Sequence, residues 1–396
     1  MKKIFFAFVL MVFMSYSCAN FAQTKDLATN GTIHLNITPA LSNEGIAFEN
    51  IVESIDKIIP LQQNTADAIV ASVMDCIVTN EYIYILDTYE GKGIAVFDID
   101  GNFVTRIKRG GGPGDINQGI TFFYDNDNES LFVFDFFFIK EYTKKGEYVK
   151  SYPIDYKEMG GDIKDIKKIP GGFLAAIQSS YEQCHIVKLN SDLNILWKTK
   201  LPILSQELPK AVVQGYGSNL WVVRGIDNDI YKFDDDSLKV FYHLDFKDYE
   251  YIVKKEYHGQ ESVKYYIELM RSVETGKYIF HNTPFSESQN YLSFSMWNGH
   301  DFTSIFYNTR TKKIIKTTKD VGSLFYVIEG HKAMGKGNVF FGRISPERIS
   351  ESSKWNWNGI NPNNLLSDKN MAILNNAKAD DNPIIVIYKL KSDIKQ

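Results

Sequence analysis

The run Arg109-Gly110-Gly111-Gly112-Pro113-Gly114-Asp115 is the densest local signal for chemistry in this chain. Consecutive amide N–H groups in a glycine-rich turn can converge on an anion, and Lys108 and Arg109 would add positive charge beside it. The turn lacks the Lys-Ser/Thr pair and following helix of a phosphate-binding loop, so it does not predict nucleotide binding. The competing reading is architectural: glycine supplies unusual backbone angles, and Pro113 stiffens a corner between two elements. A second set of candidates is dispersed along the chain. Asp87, Asp135, Gln178, Arg224, Asn298 and Arg343 each stand at the end of a run rich in aromatic and aliphatic residues. The planar forks of Arg224 and Arg343 could grip a carboxylate or sulfate while Asp87 and Asp135 accept hydrogen bonds from hydroxyls. Alternatively the aspartates cap turns and the arginines pair with them or stay solvated. Trp297, beside Asn298, and Trp355 and Trp357 further on could offer flat faces to a sugar or peptide, or could wedge loops onto the body of the fold. Together with Arg109, Gly111, Gly112 and Asp115, the strand-end residues and Trp297 form the candidate ligand-binding set.

The elements that would position these residues are short strands. The runs Tyr82 to Leu86, Leu131 to Phe134, Gly172 to Ile177, Asn219 to Val223, Tyr291 to Met296 and Asn338 to Phe341 recur at intervals of roughly 40–50 residues, with one wider gap, the period of propeller blades. Each reads as the second strand of a four-strand unit. In the clearest unit, Ile94 to Phe97 and Phe103 to Ile107 follow, separated by an Asp-Ile-Asp-Gly turn. Six occurrences predict an all-β fold, a six-bladed β-propeller. The sixth unit takes its third strand from Ile384 to Leu390, and Ile55 to Leu61 is expected to supply the missing outer strand, joining the N- and C-terminal strands and removing the open seam. Two segments interrupt the rhythm. Residues Lys247 to Lys277, between blades 4 and 5, carry Val263, Tyr266, Ile267, Met270 and Val273 at helical spacing, which predicts an amphipathic helix. Residues Pro346 to Asn382 form a long insertion in blade 6. In a propeller both connections emerge on one face, so the two insertions are expected to cover the same opening as the glycine turn.

Composition agrees with many short packed strands: 14% of the 396 residues are aromatic and only 11 are proline. Residues 1–17 read as a signal peptide, with Lys2 and Lys3 before an apolar run from Ile4 to Met14 that is too short to span a bilayer. Loss of the two lysines takes the formal charge from −4 to about −6, which favours neither nucleic acid nor anionic lipid as a partner. Ser17-Cys18 is similar to a bacterial lipoprotein cleavage site, with Cys18 the lipidated residue; cleavage after Ala19 or Ala22 is the alternative. Residues 18–50 then read as lipid anchor and tether, and 51–396 as the propeller. Cys76 and Cys184 fall in different blades and are expected to be free thiols. The seven histidines are scattered without metal-ligand spacing, so no metal site and no cofactor are predicted, although a divalent ion in the central channel stays open.

With the strand-Asp-strand-Asp-Gly unit leading into the glycine turn, and the C-terminal Asp380-Asp381-Asn382-Pro383-Ile384-Ile385-Val386-Ile387-Tyr388, the chain resembles the bacterial six-bladed β-propeller lipoproteins, relatives of NHL-repeat and TolB-like propellers. Asp115 stands where the longer Glu is usual in that family. The resemblance implies an envelope lipoprotein facing periplasm or cell surface, of unassigned activity. The expected function is recognition of a protein, small-molecule or glycan ligand on the face carrying the insertions. Two alternatives remain: an envelope enzyme in the central channel, such as a metal-dependent lactonase, lyase or hydrolase acting on a sugar or sugar ester, and a structural subunit of an envelope complex.

Overall fold

The computed structural model describes residues 23–393 with interruptions, the longer ones at 202–210, 246–263, 272–278, 318–323 and 349–364. The strands form six antiparallel blades, each ordered from the central channel outward. Blade 1 is Asp75–Val78, Tyr82–Asp87, Gly93–Asp98 and Phe103–Ile107. Blade 2 is Thr121–Asp125, Ser130–Phe134, Phe138–Thr143 and Tyr148–Pro153. Blade 3 is Asp162–Ile169, Gly172–Ser180, Gln183–Asn190 and Ile195–Lys200. Blade 4 is Val212–Tyr216, Asn219–Val223, Asp229–Asp234 and Ser237–Asp245. Blade 5 is Ile279–Glu287, Tyr291–Trp297, Phe302–Asn308 and Ile314–Lys316. Blade 6 is Ile328–Ala333, Val339–Ile344 and Ile384–Leu390, closed by Val52–Pro60 from the N-terminal side. The fold is therefore the six-bladed propeller expected from the repeats, and its seam is an antiparallel pairing that runs from Ile384↔Pro60 to Leu390↔Val52.

Second strands are buried on both faces and read as continuous apolar runs, because each blade packs against two neighbours. Hydrophobic clusters fill all six interfaces between blades. The closing interface sets Phe341, Ile385 and Ile387 of blade 6 against Ile83, Ile85 and Phe97 of blade 1. Where the closing strand leaves the seam, the Asp98–Gly101 turn of blade 1 receives it: the Gln62 amide donates to the Gly101 carbonyl at 2.9 Å. Gly101 has φ +89°, and a Cβ there would collide with the Pro60 carbonyl, so this turn requires glycine on both counts.

Two expectations change. The segment read as a tether is, from residue 23 onward, a belt around the ring. Gln23–Thr24 adds in parallel to Ile195–Lys200 of blade 3, and Ile33–Asn36 adds in parallel to Ser237–Asp245 of blade 4. Ile37 and Leu41 then enter the core between blades 4 and 5, and Ile46 bridges to Thr317 beyond the outer strand of blade 5. The reason is the alternation Ile33, Leu35, Ile37: these side chains turn toward the ring while His34 turns outward. By occupying outer edges the belt also covers unpaired backbone on blades 3 and 4. The insertion of blade 6 differs too. Its described helix, Asp368–Asn376, starts at a Ser367 cap that accepts the Asn370 amide at 3.2 Å. Met371 and Leu374 of that helix pack into the core between blades 5 and 6, so this part buttresses the closing strand and does not roof the channel. Most of the helix expected within Lys247 to Lys277 lies outside the described residues, as do Trp355, Trp357 and the segment around Cys18.

Candidate functional site

The inner strands of all six blades enclose a central cavity of about 790 Å³. Period-two alternation sends one set of side chains from each strand toward that space and the other into the blade interfaces. Four cations, Lys164, Lys167, Lys332 and Arg343, and four carboxylates, Asp75, Asp165, Glu287 and Glu329, line it, so formal charge cancels along the described wall. Many of the polar groups connect neighbouring inner strands. Lys167 donates to the Phe122 carbonyl of blade 2 at 3.3 Å. Asp165 accepts the Val213 amide of blade 4 at 2.8 Å. Gln214 accepts the Phe285 amide of blade 5 at 2.8 Å, and Ser286 accepts the Ala333 amide of blade 6 at 2.9 Å. Lys332 pairs with Asp75 of blade 1 and donates to the Cys76 carbonyl at 3.3 Å. These bonds cross five of the six interfaces and fix the bore of the channel. Burial raises the Asp165 pKa despite the two amides it accepts and Lys167 nearby.

Other channel groups face open space. Lys164 pairs with Asp162 of its own strand at 3.2 Å, its one ion pair among the described residues. Glu287 accepts the Trp221 indole N–H at 3.0 Å through one oxygen. At the mouth where second strands end, Glu329 lies opposite Arg343 across the blade 6 ladder and pairs with Arg343 at 3.5 Å and Arg348 at 2.6 Å. The arrangement offers donors and acceptors of both signs around a water-accessible volume, with aromatic surface from Phe123 and Phe285 beneath them.

Of the described candidates expected from sequence, only Arg343 reaches this cavity, and it also donates to the Val73 carbonyl at 2.7 Å. Asp87 is fully buried, accepts the amides of Ala71 at 3.1 Å and Ser72 at 3.3 Å, and pairs with Arg106 at 3.3 Å. Asp135 repeats the device in blade 2, accepting the Phe138 amide at 3.1 Å and the Asn117 amide at 3.4 Å and pairing with Lys140 at 3.0 Å. Arg224 is buried beside Asp227 and Tyr231; burial alone would lower its pKa, but the Asp227 carboxylate outweighs this and holds it above the usual value. Gln178 and Trp297 are half-buried in their strands away from the cavity, and Asn298 lies outside the described residues. The strand-end set is thus dispersed into separate internal contacts, since each carboxylate satisfies the backbone of its own inter-blade loop.

The glycine turn closes on itself. Asp115 accepts the Gly112 amide at 2.8 Å and returns its own amide to the Gly112 carbonyl at 3.0 Å, which fills the anion-binding position with a carboxylate of the same turn. Arg109 donates to the Asn117 carbonyl at 2.7 Å. None of Gly110, Gly111, Gly112 and Gly114 has positive φ; a Cβ at Gly110 or Gly112 would press on the Asp115 carboxyl and one at Gly114 on the Tyr148 side chain, whereas Gly111 faces open space. The glycines therefore serve close approach, in contrast to the unusual angles expected of them.

The channel residues Lys164, Lys167, Glu287, Glu329 and Lys332 escaped the sequence reading, which followed second strands. Their signal was present in Asp162-Ile163-Lys164-Asp165-Ile166-Lys167, where charges interrupt a strand that must be buried on one side. Cys76 and Cys184 are free, and burial pushes their thiols up to about 12 and about 11, away from reactivity.

No helix among the described residues is long and apolar enough to cross a membrane. No curated protein matches the chain in sequence. Among solved structures, a candidate exported protein of Bacteroides fragilis is similar over 93% of this chain and 99% of its own, with a TM-score of 0.66 and 16% identity. A member of the DUF4221 family from Bacteroides vulgatus is similar over 87% of this chain and 99% of its own, with a TM-score of 0.52 and 13% identity. At these identities the likeness establishes the fold alone. Residues 32–389, belt strand and closing strand included, match a domain of unknown function, and the chain belongs to that family, DUF4934.

Proposed function

We propose that this protein is an exported, lipid-anchored propeller that binds a neutral polar ligand, an oligosaccharide or short peptide, in its central channel without making or breaking a bond. The observation that carries the reading is the cavity of about 790 Å³, a volume suited to such a ligand, lined by all six blades with balanced charges from blades 1, 3, 5 and 6. A charge-balanced wall gives no reason for a strongly anionic or cationic ligand. Among the described residues no three metal-ligating side chains converge in the channel, and its carboxylates are engaged with amides, lysines, arginines or an indole, which favours recognition over the enzymatic alternatives. The Lys2-Lys3 and apolar N-terminal pattern and the exported B. fragilis neighbour support export; Ser17-Cys18 supports the anchor, and the Asp-Gly turns support kinship with NHL-repeat and TolB-like propellers.

Thermal denaturation of the purified chain against panels of neutral oligosaccharides and of short peptides tests the binding reading. A ligand at about a hundred times its Kd should stabilise the fold by about 2.7 kcal/mol. Lys164→Trp fills the channel without breaking a bond between blades, and it should abolish the shift. A shift that survives Lys164→Trp, or none with either panel, overturns the proposal.

A further inference from the structure

We propose that the outer edge of blade 4 holds a divalent transition-metal site, suited to Zn²⁺, built from His34, His243 and Asp245 and completed by Asp229. The sequence separates these residues by up to 211 positions, and the belt brings them together. Parallel pairing puts His34 opposite His243, so both imidazoles leave the same face. Asp245 lies two residues further along the same strand, on that face again, and Asp229 stands opposite His243 on the third strand.

The side chains use this register. His34 Nδ1 lies 3.3 Å from Asp245 Oδ2, and His243 Nε2 lies 3.4 Å from Asp245 Oδ1. The two rings are 5.1 Å apart, centroid to centroid. One donor atom from each of the three residues falls within 4.8 Å of the others. Zinc bonds of about 2.0–2.1 Å at tetrahedral angles place donors roughly 3.3 Å apart, so small rotamer adjustments complete the set, with water as fourth ligand. Asp229 supplies the strongest argument. Its carboxylate is 2.7 Å from His243 Nδ1, the opposite nitrogen from the one facing Asp245. A carboxylate at the second nitrogen orients the ring so that Nε2 turns toward Asp245, an arrangement typical of metal-bound histidine. Two carboxylates also balance the charge of a divalent ion.

The site would lie on the seam between belt and ring, not in the channel. One ligand, His34, comes from the N-terminal belt, and the others come from blade 4. Metal binding would therefore clamp the segment that follows the export signal onto the propeller, independently of any ligand in the channel.

The test uses the full chain after chelator treatment, titrated with ZnCl₂ by calorimetry and with CoCl₂ by visible absorption. The expected result is one equivalent of Zn²⁺ bound, a rise in melting temperature, and the intense visible bands of tetrahedral Co²⁺. His34→Ala, at a largely exposed side chain, and His243→Ala should each abolish the cobalt bands. Asp229→Asn, which leaves all three ligands in place, should weaken binding about 10- to 100-fold. Absence of a stoichiometric site, or Zn²⁺ affinity unchanged in both histidine variants, overturns the proposal.

Discussion

Two arrays of charged side chains in this ring differ in what they do. Asp87, Asp135 and Arg224 close on internal partners: each is more than nine-tenths buried and each has a buried counter-charge in its own blade. Lys164, Glu287 and Glu329 stand one strand inward, on inner strands, and border the cavity. The difference lies in geometry. A second-strand end sits under an inter-blade loop whose amides need acceptors, whereas an inner strand presents every other residue to the channel. Residue type alone does not mark a site here; what the neighbouring backbone requires decides it.

The largest effect should come from breaking the internal array. Asp87→Ala leaves the Arg106 guanidinium buried without its counter-charge and removes the acceptor for Ala71 and Ser72. Loss of one member of a buried pair costs roughly 3–5 kcal/mol. Lys164→Ala, in the channel, should change stability by less than about 1 kcal/mol, because among the described residues it makes one ion pair, within its own strand. Urea melts of the two variants measure the contrast; equal losses would remove the distinction between the arrays.

How much of this was legible in the sequence follows from the same geometry. Blade number and the closing strand were readable because buried second strands and polar turns repeat along the chain. Asp87 and Asp135 were visible as residues, but their roles were not, because the Ala71, Ser72 and Asn117 amides that claim them belong to loops with no pattern of their own. The belt was legible in part: Ile33, Leu35 and Ile37 alternate, but four residues give a weak signal against a polar background. The meeting of His34 with His243 could not be read at all, since it depends on which blade edge the belt joins.

A second prediction contrasts the two faces of one strand. Glu329 and Lys332 line the channel, whereas His331 between them turns into the core, where Tyr388 lies 2.6 Å from its Nδ1. Burial lowers the His331 pKa to about 4, against an unfolded value of 6.5. Between these values the unfolded chain takes up a proton that the folded chain refuses. The stabilisation is therefore complete above pH 6.5 and is lost as pH falls toward 4. The group should account for about 2 kcal/mol of lost stability between pH 7 and pH 5. His331→Gln should be less stable at neutral pH and show a shallower acid limb in urea melts across that range. Parallel limbs for the two proteins would mean that His331 is not the titrating group.

The smallest effects separate two glycines one residue apart. At Gly110 a methyl group meets the Asp115 carboxyl, which is already held by the Gly112 amide, while at Gly111 it meets nothing within 4 Å. Neither residue has positive φ, so backbone strain does not enter. Gly110→Ala should then cost about 1 kcal/mol by displacing Asp115, and Gly111→Ala should stay within about 0.5 kcal/mol of the parent. Asp115→Ala makes the argument sharper, since without the carboxyl the penalty at Gly110 should disappear in the double variant. If the two substitutions instead add in thermal melts, the turn is not closed by Asp115, and its amides are again available to an external anion.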